Sequence, residues 1–269
     1  MFVDSHCHLN FPELRSNLEE IRAAMAQARV DRALCICTTL EEFDQVYDLA
    51  STYDNFWASA GVHPDNEGVQ EPSLGDLLER AAQPRVVAIG ETGLDYYRLN
   101  GRSVVDMAWQ RQRFRVHIQA SRKTGLPLVI HTRNASDDTL AILKEEGANN
   151  GVFHCFTETM DVARTALDMG FFISFSGILT FKSARELQEV ARFVPLDRCL
   201  IETDSPYLAP HPFRGKTNNP AWVPYVAQEL ADLKASSLEE VADATRLNFD
   251  RLFRKVLLSK VTHETHKAL

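Results

Sequence analysis

The chain has 269 residues, of which 45% are hydrophobic and 25% charged, and this composition excludes a disordered, collagen-like or coiled-coil protein. The formal net charge of −8 argues against a protein that coats nucleic acid through a generic basic surface. The sequence shows neither the apolar region of a signal peptide at its start nor an apolar run of membrane-spanning length. With five cysteines, an odd number, these features predict a cytoplasmic protein without a membrane partner, as a monomer or a weak oligomer.

Eight short β-rich runs recur along the chain, and each is followed by a longer stretch compatible with a helix. This alternation predicts βα units and a parallel sheet, and the length is close to the roughly 250 residues of a (β/α)8 barrel. Periodicity alone leaves an open, doubly wound sheet as an alternative. The predicted strands cover residues 2–5, 33–37, 56–61, 86–90, 128–131, 152–155, 171–174 and 199–203.

No linker or shift in composition divides the chain. We therefore predict an α/β protein with a single (β/α)8 TIM-barrel domain over residues 1–260, followed by a polar tail over residues 261–269. Apolar residues recur at three- and four-residue steps over residues 11–25 and again over residues 249–256, which predicts two amphipathic helices. The proline-containing residues 209–220 predict a long ordered loop after the last strand.

Side chains that can bind metal stand where the predicted strands end. His6 and His8 are one residue apart after the first run, and the period-two alternation of an extended chain directs both imidazoles to one face. In a barrel, the carboxyl ends of all strands meet at one mouth, so further ligands from later strands would join them there. These further ligands are Glu91, His131, His154 and Asp204. An isolated histidine at a strand end is more often structural, but six such residues at one end predict a metal site.

The ligand types and their number predict the kind of site. Imidazole and carboxylate ligands without thiolate suit several divalent metals, and six ligands exceed the four of one tetrahedral ion. We therefore predict two divalent metal ions (Zn, Mg or Mn) bridged by a carboxylate, with a shared water that is nucleophilic at neutral pH. Such a site predicts hydrolysis. The five cysteines are interpreted as structural.

Together these residues resemble the TatD family of metal-dependent hydrolases, within the amidohydrolase-like barrels, over nearly the whole chain. The resemblance rests on Asp4-Ser5-His6-Cys7-His8-Leu9, Gly61-Val62-His63-Pro64, Gly90-Glu91-Thr92-Gly93-Leu94-Asp95-Tyr96, Ile130-His131-Thr132-Arg133, His154-Cys155-Phe156 and Glu202-Thr203-Asp204-Ser205-Pro206. It implies a (β/α)8 barrel that hydrolyses phosphodiesters as a deoxyribonuclease, with DNA as substrate. It also implies one metal on His6, His8 and Asp204, a second on His131 and His154, and Glu91 as the bridge.

Other residues near the predicted mouth are assigned further roles. Asp204 is predicted to act as general base as well as metal ligand, and His63 to bind a phosphoryl oxygen or protonate a leaving oxygen. Arg133 and Arg214 are predicted to bind phosphate in bidentate fashion. Glu202 either orients a ligand imidazole or is solvated.

Three aromatic residues, Tyr96, Tyr97 and Phe156, follow ligand positions and are candidates to stack an unpaired base, although local packing is their commoner role. The sequence thus predicts a divalent-metal-dependent exonuclease that acts on single-stranded DNA ends. One alternative is a small-molecule amidase, lactonase or ester hydrolase, including one acting on aminoacyl esters, with the same two ions. Another is a non-catalytic scaffold in which metal serves only structure.

Overall fold

Eight parallel strands form a nearly closed barrel with helices around it in the computed structural model, which describes residues 1–257. The strands are hydrogen-bonded in chain order, and a parallel bridge joins Cys7 of the first strand to Ser205, four residues past the end of the last one. The predicted single-domain (β/α)8 barrel is confirmed. Residues 258–260 of the predicted domain and the predicted tail over residues 261–269 lie outside the described residues. The strands are β1 Phe2–Cys7, β2 Val30–Cys35, β3 Phe56–Ala60, β4 Val86–Asp95, β5 Leu128–Arg133, β6 Gly151–Phe153, β7 Phe172–Phe175 and β8 Cys199–Ile201.

Ten helices accompany these strands over the described residues. They are α1 Pro12–Arg15, α2 Leu18–Gln27, α3 Phe43–Thr52, α4 Leu74–Ala81, α5 Ala108–Thr124, α6 Ser136–Glu145, α7 Met160–Asp168, α8 Arg185–Phe193, α9 Val223–Lys234 and α10 Leu238–Leu252. The single helix predicted over residues 11–25 is divided, because the Ser16 hydroxyl bonds to the Pro12 carbonyl and the chain turns at Asn17. Within residues 1–257, none of the helices has the length and apolar character of a membrane span.

The buried apolar residues form two clusters on opposite sides of the sheet. The larger one lies between the sheet and the surrounding helices. The smaller one takes at least one residue from each of the eight strands and lies inside the barrel, where side chains of the last helical segment join it. The side chains that join it are the apolar residues of the predicted helix near the chain's end, namely Phe249, Leu252, Phe253 and Val256.

The direction of the first strand's side chains changes before the strand ends. Val3 belongs to the inner cluster, and the Ser5 hydroxyl contacts that of Ser174 at 3.2 Å within the barrel. The pairing of β1 with β2 shifts register between Asp4 and Cys7. After this shift His6 follows Ser5 on the inner side, and His8 shares its face. The irregularity therefore directs both histidines into the mouth of the barrel.

Candidate metal centre

The six predicted ligands converge at the carboxyl ends of the strands. Glu91 lies at the centre of the group, is only 3% exposed, and directs its two carboxylate oxygens toward different histidines. Its Oε2 atom faces the side chains contributed by the first strand, and its Oε1 atom faces those from the third, fifth and sixth strands. One carboxylate thus separates two sets of possible ligand atoms.

The first set combines His6, His8, Asp204 and the Oε2 atom of Glu91. The Nε2 atoms of the two histidines are 3.3 Å apart, and they lie 3.5 Å and 3.3 Å from Asp204 Oδ1. The corresponding distances to Glu91 Oε2 are 3.2 Å and 3.9 Å. Four ligands at about 2.0–2.1 Å from a tetrahedral ion are about 3.3–3.4 Å apart, so these donors fit one such ion.

The second set surrounds the Oε1 atom of Glu91. His63 Nε2 and His131 Nδ1 each lie 3.2 Å from this oxygen, and His154 Nε2 lies 2.8 Å from it. His154 Nε2 is buried and has no hydrogen-bond partner among the described residues, despite that short distance. A cation shared between the buried Nε2 atom and the nearby carboxylate oxygen would satisfy both atoms. The donor set therefore also fits a second divalent ion.

Two carboxylates contact predicted ligand histidines on the side away from Glu91. Glu202 Oε1 lies 3.1 Å from His154 Nδ1, and Asp95 Oδ2 lies 3.0 Å from His131 Nε2. Each contact leaves the opposite ring nitrogen directed at Glu91. A carboxylate behind a metal-binding imidazole fixes its tautomer and raises its basicity. Between the two roles considered for Glu202, the geometry is that of the orienting group, since Glu202 is fully buried.

His63 differs from the other histidines in the contact made by Nδ1, the ring nitrogen that faces away from Glu91. The backbone N–H of Asp65 donates to His63 Nδ1 at 3.0 Å, so the neutral ring carries its hydrogen on Nε2, the atom that faces Glu91. A metal-binding nitrogen must be free of hydrogen. The contact therefore favours His63 as a hydrogen-bond donor over a metal ligand, although its position belongs to the second set.

Charges within the centre keep its carboxylates ionised. Burial alone would raise the pKa of Glu91, but the surrounding histidines, His154 foremost, hold it well below its usual range. Burial opposes ionisation of Asp204 too, yet the hydrogen bond from His8 and other nearby imidazoles lower its pKa. Burial would lower the pKa of His154, but Glu91 and Glu202 raise it well above its ordinary value. Protons on these histidines would compete with a cation for the same lone pairs, so a cation that binds here would displace protons.

A glycine allows the fourth and fifth strands to approach closely, which brings Glu91 and His131, two of the predicted ligands, together. Gly93, at φ +139°, pairs with His131, and a Cβ at this position would lie 1.9 Å from the His131 carbonyl oxygen. Only glycine combines this backbone conformation with such a close approach. Continued pairing beyond Gly93 extends β4 to Asp95, five residues past the predicted end of that strand. The extension brings Asp95 into the centre.

A cleft of about 690 Å³ opens above the centre, with Arg133 among its lining residues and its guanidinium 3.6 Å from the centroid of the Tyr97 ring. Arg214 lies over the ring of Phe181 at 3.5 Å and is not among the residues that line this cleft. The role of Arg214 as a substrate contact stays a prediction.

Several expectations from the sequence are altered by burial and backbone conformation. Tyr96 and Phe156 are buried at 7% and 2% exposure and therefore cannot stack an incoming base, whereas Tyr97 is exposed. Cys155, interpreted as structural, lines the cleft because its φ of +41° breaks the strand alternation, and its thiol contacts the Ser176 hydroxyl. Asp95 belongs to the centre, although the pattern of residues at predicted strand ends does not identify it. Its spacing of four from Glu91, on the same face of a strand, was the available signal.

Comparison with known proteins agrees with this geometry. The family model described as TatD related DNase matches residues 3–254. The metal-dependent hydrolase YcfH of Escherichia coli is 48% identical over 257 residues, which are 93% of this chain and 95% of that protein. The 3′-5′ ssDNA/RNA exonuclease TatD of Klebsiella pneumoniae is 30% identical over 258 residues, 93% of this chain and 97% of that protein.

A solved structure shows the same architecture. The crystal structure of the TatD homologue YJJV from Escherichia coli superposes with a TM-score of 0.87 at 30% identity, covering 94% of this chain and 98% of that one. The family match spans all six predicted metal ligands, and the structure brings these six together. The chain therefore belongs to the TatD related DNase family and is a metal-dependent hydrolase.

Proposed function

We propose that this hydrolase is an exonuclease that removes nucleotides from the ends of single-stranded DNA with two divalent ions. The observation that carries the proposal is Glu91, whose two oxygens face two separate sets of ligand atoms at the base of an open cleft. A bridging carboxylate between two ions suits in-line displacement at phosphorus. The name of the Klebsiella relative as a ssDNA/RNA exonuclease supports a polynucleotide substrate.

In this proposal every ligand side chain except that of Glu91 belongs to one ion. His6, His8 and Asp204 would hold the first, and His131 and His154 the second, with Glu91 shared. When bound, the two ions supply a lowered pKa for water and charge stabilisation for the phosphoryl oxygens.

Asp204 is positioned to accept the proton of the attacking water. Its side chain is 16% exposed, against 3% for Glu91, so it meets both the ligand histidines and the cleft. Its lowered pKa keeps it in the carboxylate form that a general base requires. Once protonated, it can return the proton toward the leaving oxygen.

His63 and Arg133 are assigned to the substrate. The N–H group at His63 Nε2 faces the centre and can donate a hydrogen bond to a phosphoryl or leaving oxygen. The Arg133 guanidinium lies over the Tyr97 ring and lines the cleft, where its N–H groups could bind phosphate. End cleavage needs few phosphate contacts, which is compatible with the net charge of −8. A cytoplasmic location and a monomeric or weakly oligomeric state stay predictions.

The test is the product ladder from an end-labelled single-stranded oligonucleotide with Mg²⁺ or Mn²⁺. We expect stepwise shortening from one end, abolished by EDTA and by Asp204→Asn. The matched control is Asp168→Asn, which makes the same substitution at an exposed position at the end of α7 and should cleave as the wild type does. Labelling the two ends in separate experiments gives the polarity.

The opposite result would direct attention to carbonyl substrates. If folded, metal-loaded protein shortens no oligonucleotide, the exonuclease proposal fails. Ester and lactone substrates then become the next to assay, because ions that activate water for attack on phosphorus do so for carbonyl carbon as well. Random internal cuts would refute the preference for ends while preserving nuclease activity.

A further inference from the structure

A short row of aromatic rings leads from the metal ligands to the surface of the cleft. The ring of Phe11 stacks on that of His8 with centroids 4.7 Å apart and planes 17° apart. The ring of Tyr207 meets Phe11 edge to face, at 6.3 Å and 74°. All three residues line the cleft. The row therefore begins at a ligand of the first ion and ends one ring further out.

Tyr207 presents a free aromatic surface at the end of this row. It is 55% exposed. This exposure is unfavourable, because burying a tyrosine ring would remove a large apolar area from water. By contrast Tyr97, also exposed, has the Arg133 guanidinium over its ring and does not line the cleft. In grooves that bind single-stranded nucleic acid, aromatic side chains form the surfaces on which unpaired bases stack.

The backbone holds Tyr207 in place. Its N–H donates to the Asp204 carbonyl oxygen at 3.0 Å, and the buried Asn218 side chain donates to the carbonyl oxygens of Tyr207 and Thr203 at 2.7 Å and 2.9 Å. The residue that carries the ring is thus tied to the segment that carries a metal ligand. Because the backbone is ordered before substrate arrives, little conformational freedom is lost on binding.

We propose that Tyr207, supported by Phe11, is a nucleobase-binding site that stacks the base of a nucleotide next to the phosphodiester being cleaved. This rests on the proposed exonuclease function and specifies how its substrate is recognised. Every base has a π-face, so a single stacking ring accepts all four bases and gives no strong sequence preference. Double-stranded DNA keeps its bases stacked on one another, so this site favours unpaired ends.

Binding is measured first, without turnover. Single-stranded oligonucleotides would carry phosphorothioate linkages against cleavage and one 2-aminopurine, placed in turn at each of the last four positions from either end. We expect the metal-loaded wild type to quench 2-aminopurine emission at one position through stacking. Tyr207→Ala should remove this quenching and weaken binding by about 5- to 150-fold, the range for loss of one stacked base.

Matched variants separate the aromatic face from other effects. Tyr207→Phe keeps the ring and should retain quenching and affinity, whereas Tyr207→Leu keeps apolar bulk without a π-face and should lose quenching. Tyr225→Ala removes another exposed tyrosine, which packs against Phe213 outside the cleft, and should behave as the wild type. Metal content is measured for every variant.

An abasic residue completes the test on cleavable substrate. Wild type should cleave natural oligonucleotide with a higher kcat/KM than one abasic at the quenched position, and Tyr207→Ala should cleave the two equally. Equal losses on both substrates, or no quenching at any position, would overturn the stacking site. Quenching without any cleavage would instead refute the exonuclease function and leave the base-binding site standing.

Discussion

Acid is expected to destabilise this protein through His117, a fully buried residue of α5. The backbone N–H of Val62 donates to its Nε2 atom at 3.0 Å, and its Nδ1 hydrogen bonds to the Arg113 carbonyl oxygen at 2.8 Å. The ring is thus held neutral next to the segment that carries His63. Burial above all lowers the pKa of His117 to about 4, from an ordinary value of 6.5.

The sign of the effect follows from the two states. Above pH 6.5 the ring is neutral in both folded and unfolded chains, and its contribution to stability is complete. As the pH falls from 6.5 toward 4, the unfolded chain binds a proton that the folded chain excludes. The gap between pKa 6.5 and about 4 corresponds to a loss of about 3 kcal/mol, at 1.36 kcal/mol per pH unit.

Urea unfolding between pH 4.5 and 7.5 measures this loss, with EDTA present so that metal release does not contribute. His117→Gln should be less stable than the wild type at pH 7, by about 1–2 kcal/mol for a poorer hydrogen-bond geometry. The advantage of the wild type should shrink as the pH falls and change sign between about pH 6 and pH 5, since only the wild type carries this titration. A constant difference over the whole range, or an NMR titration of His117 with a midpoint near 6.5, would refute the reasoning.

Three further outcomes are expected. Glu91→Gln should lower retained metal from two ions to at most one per chain and reduce turnover at least about a thousandfold, because both ligand sets lose the charge of the shared carboxylate. Elemental analysis that still found two ions would contradict this. Glu202→Gln should weaken metal binding about 10- to 100-fold in a chelator competition through loss of the carboxylate behind His154, and unchanged affinity would argue against the orienting role. Gly93→Ala should destabilise the fold by several kcal/mol in thermal unfolding, because its Cβ would collide with the neighbouring strand. Gly75→Ala should not, since a Cβ there meets only an ordinary van der Waals contact. Equal stability of the two variants would contradict the close approach of β4 and β5.

Much of the centre could be predicted from the sequence because a barrel converts strand ends into neighbours. Glu91, His131 and His154 each follow a short apolar run, and the topology alone brings such positions to one mouth. The alternation of an extended chain likewise placed His6 and His8 together, at 3.3 Å between their Nε2 atoms. Residue type then limited the chemistry to divalent metal and hydrolysis.

The tertiary structure decided which atoms of these side chains meet. The ring nitrogen that faces Glu91 depends on the group behind each histidine, and for His63 that group is a backbone donor of Asp65, which no residue pattern encodes. The continuation of β4 to Asp95 depends on a close approach between two strands at Gly93. These contacts join separate segments or depend on a local turn, so periodicity carries no information about them.

Which aromatic side chains are exposed near the centre was also decided only by tertiary packing. Tyr96, Phe156 and Tyr207 are all aromatic residues placed shortly after ligand positions, yet the first two are buried and the third remains open to the cleft. Positive φ values at Cys155 and Asp204 redirect the chain after β6 and β8, and such turns set which side chains face outward. The sequence alone thus predicted the barrel and the ligand chemistry, because side chains that can bind metal recur where short apolar runs end. The substrate surface depends on the packing of distant segments, which only the folded chain defines.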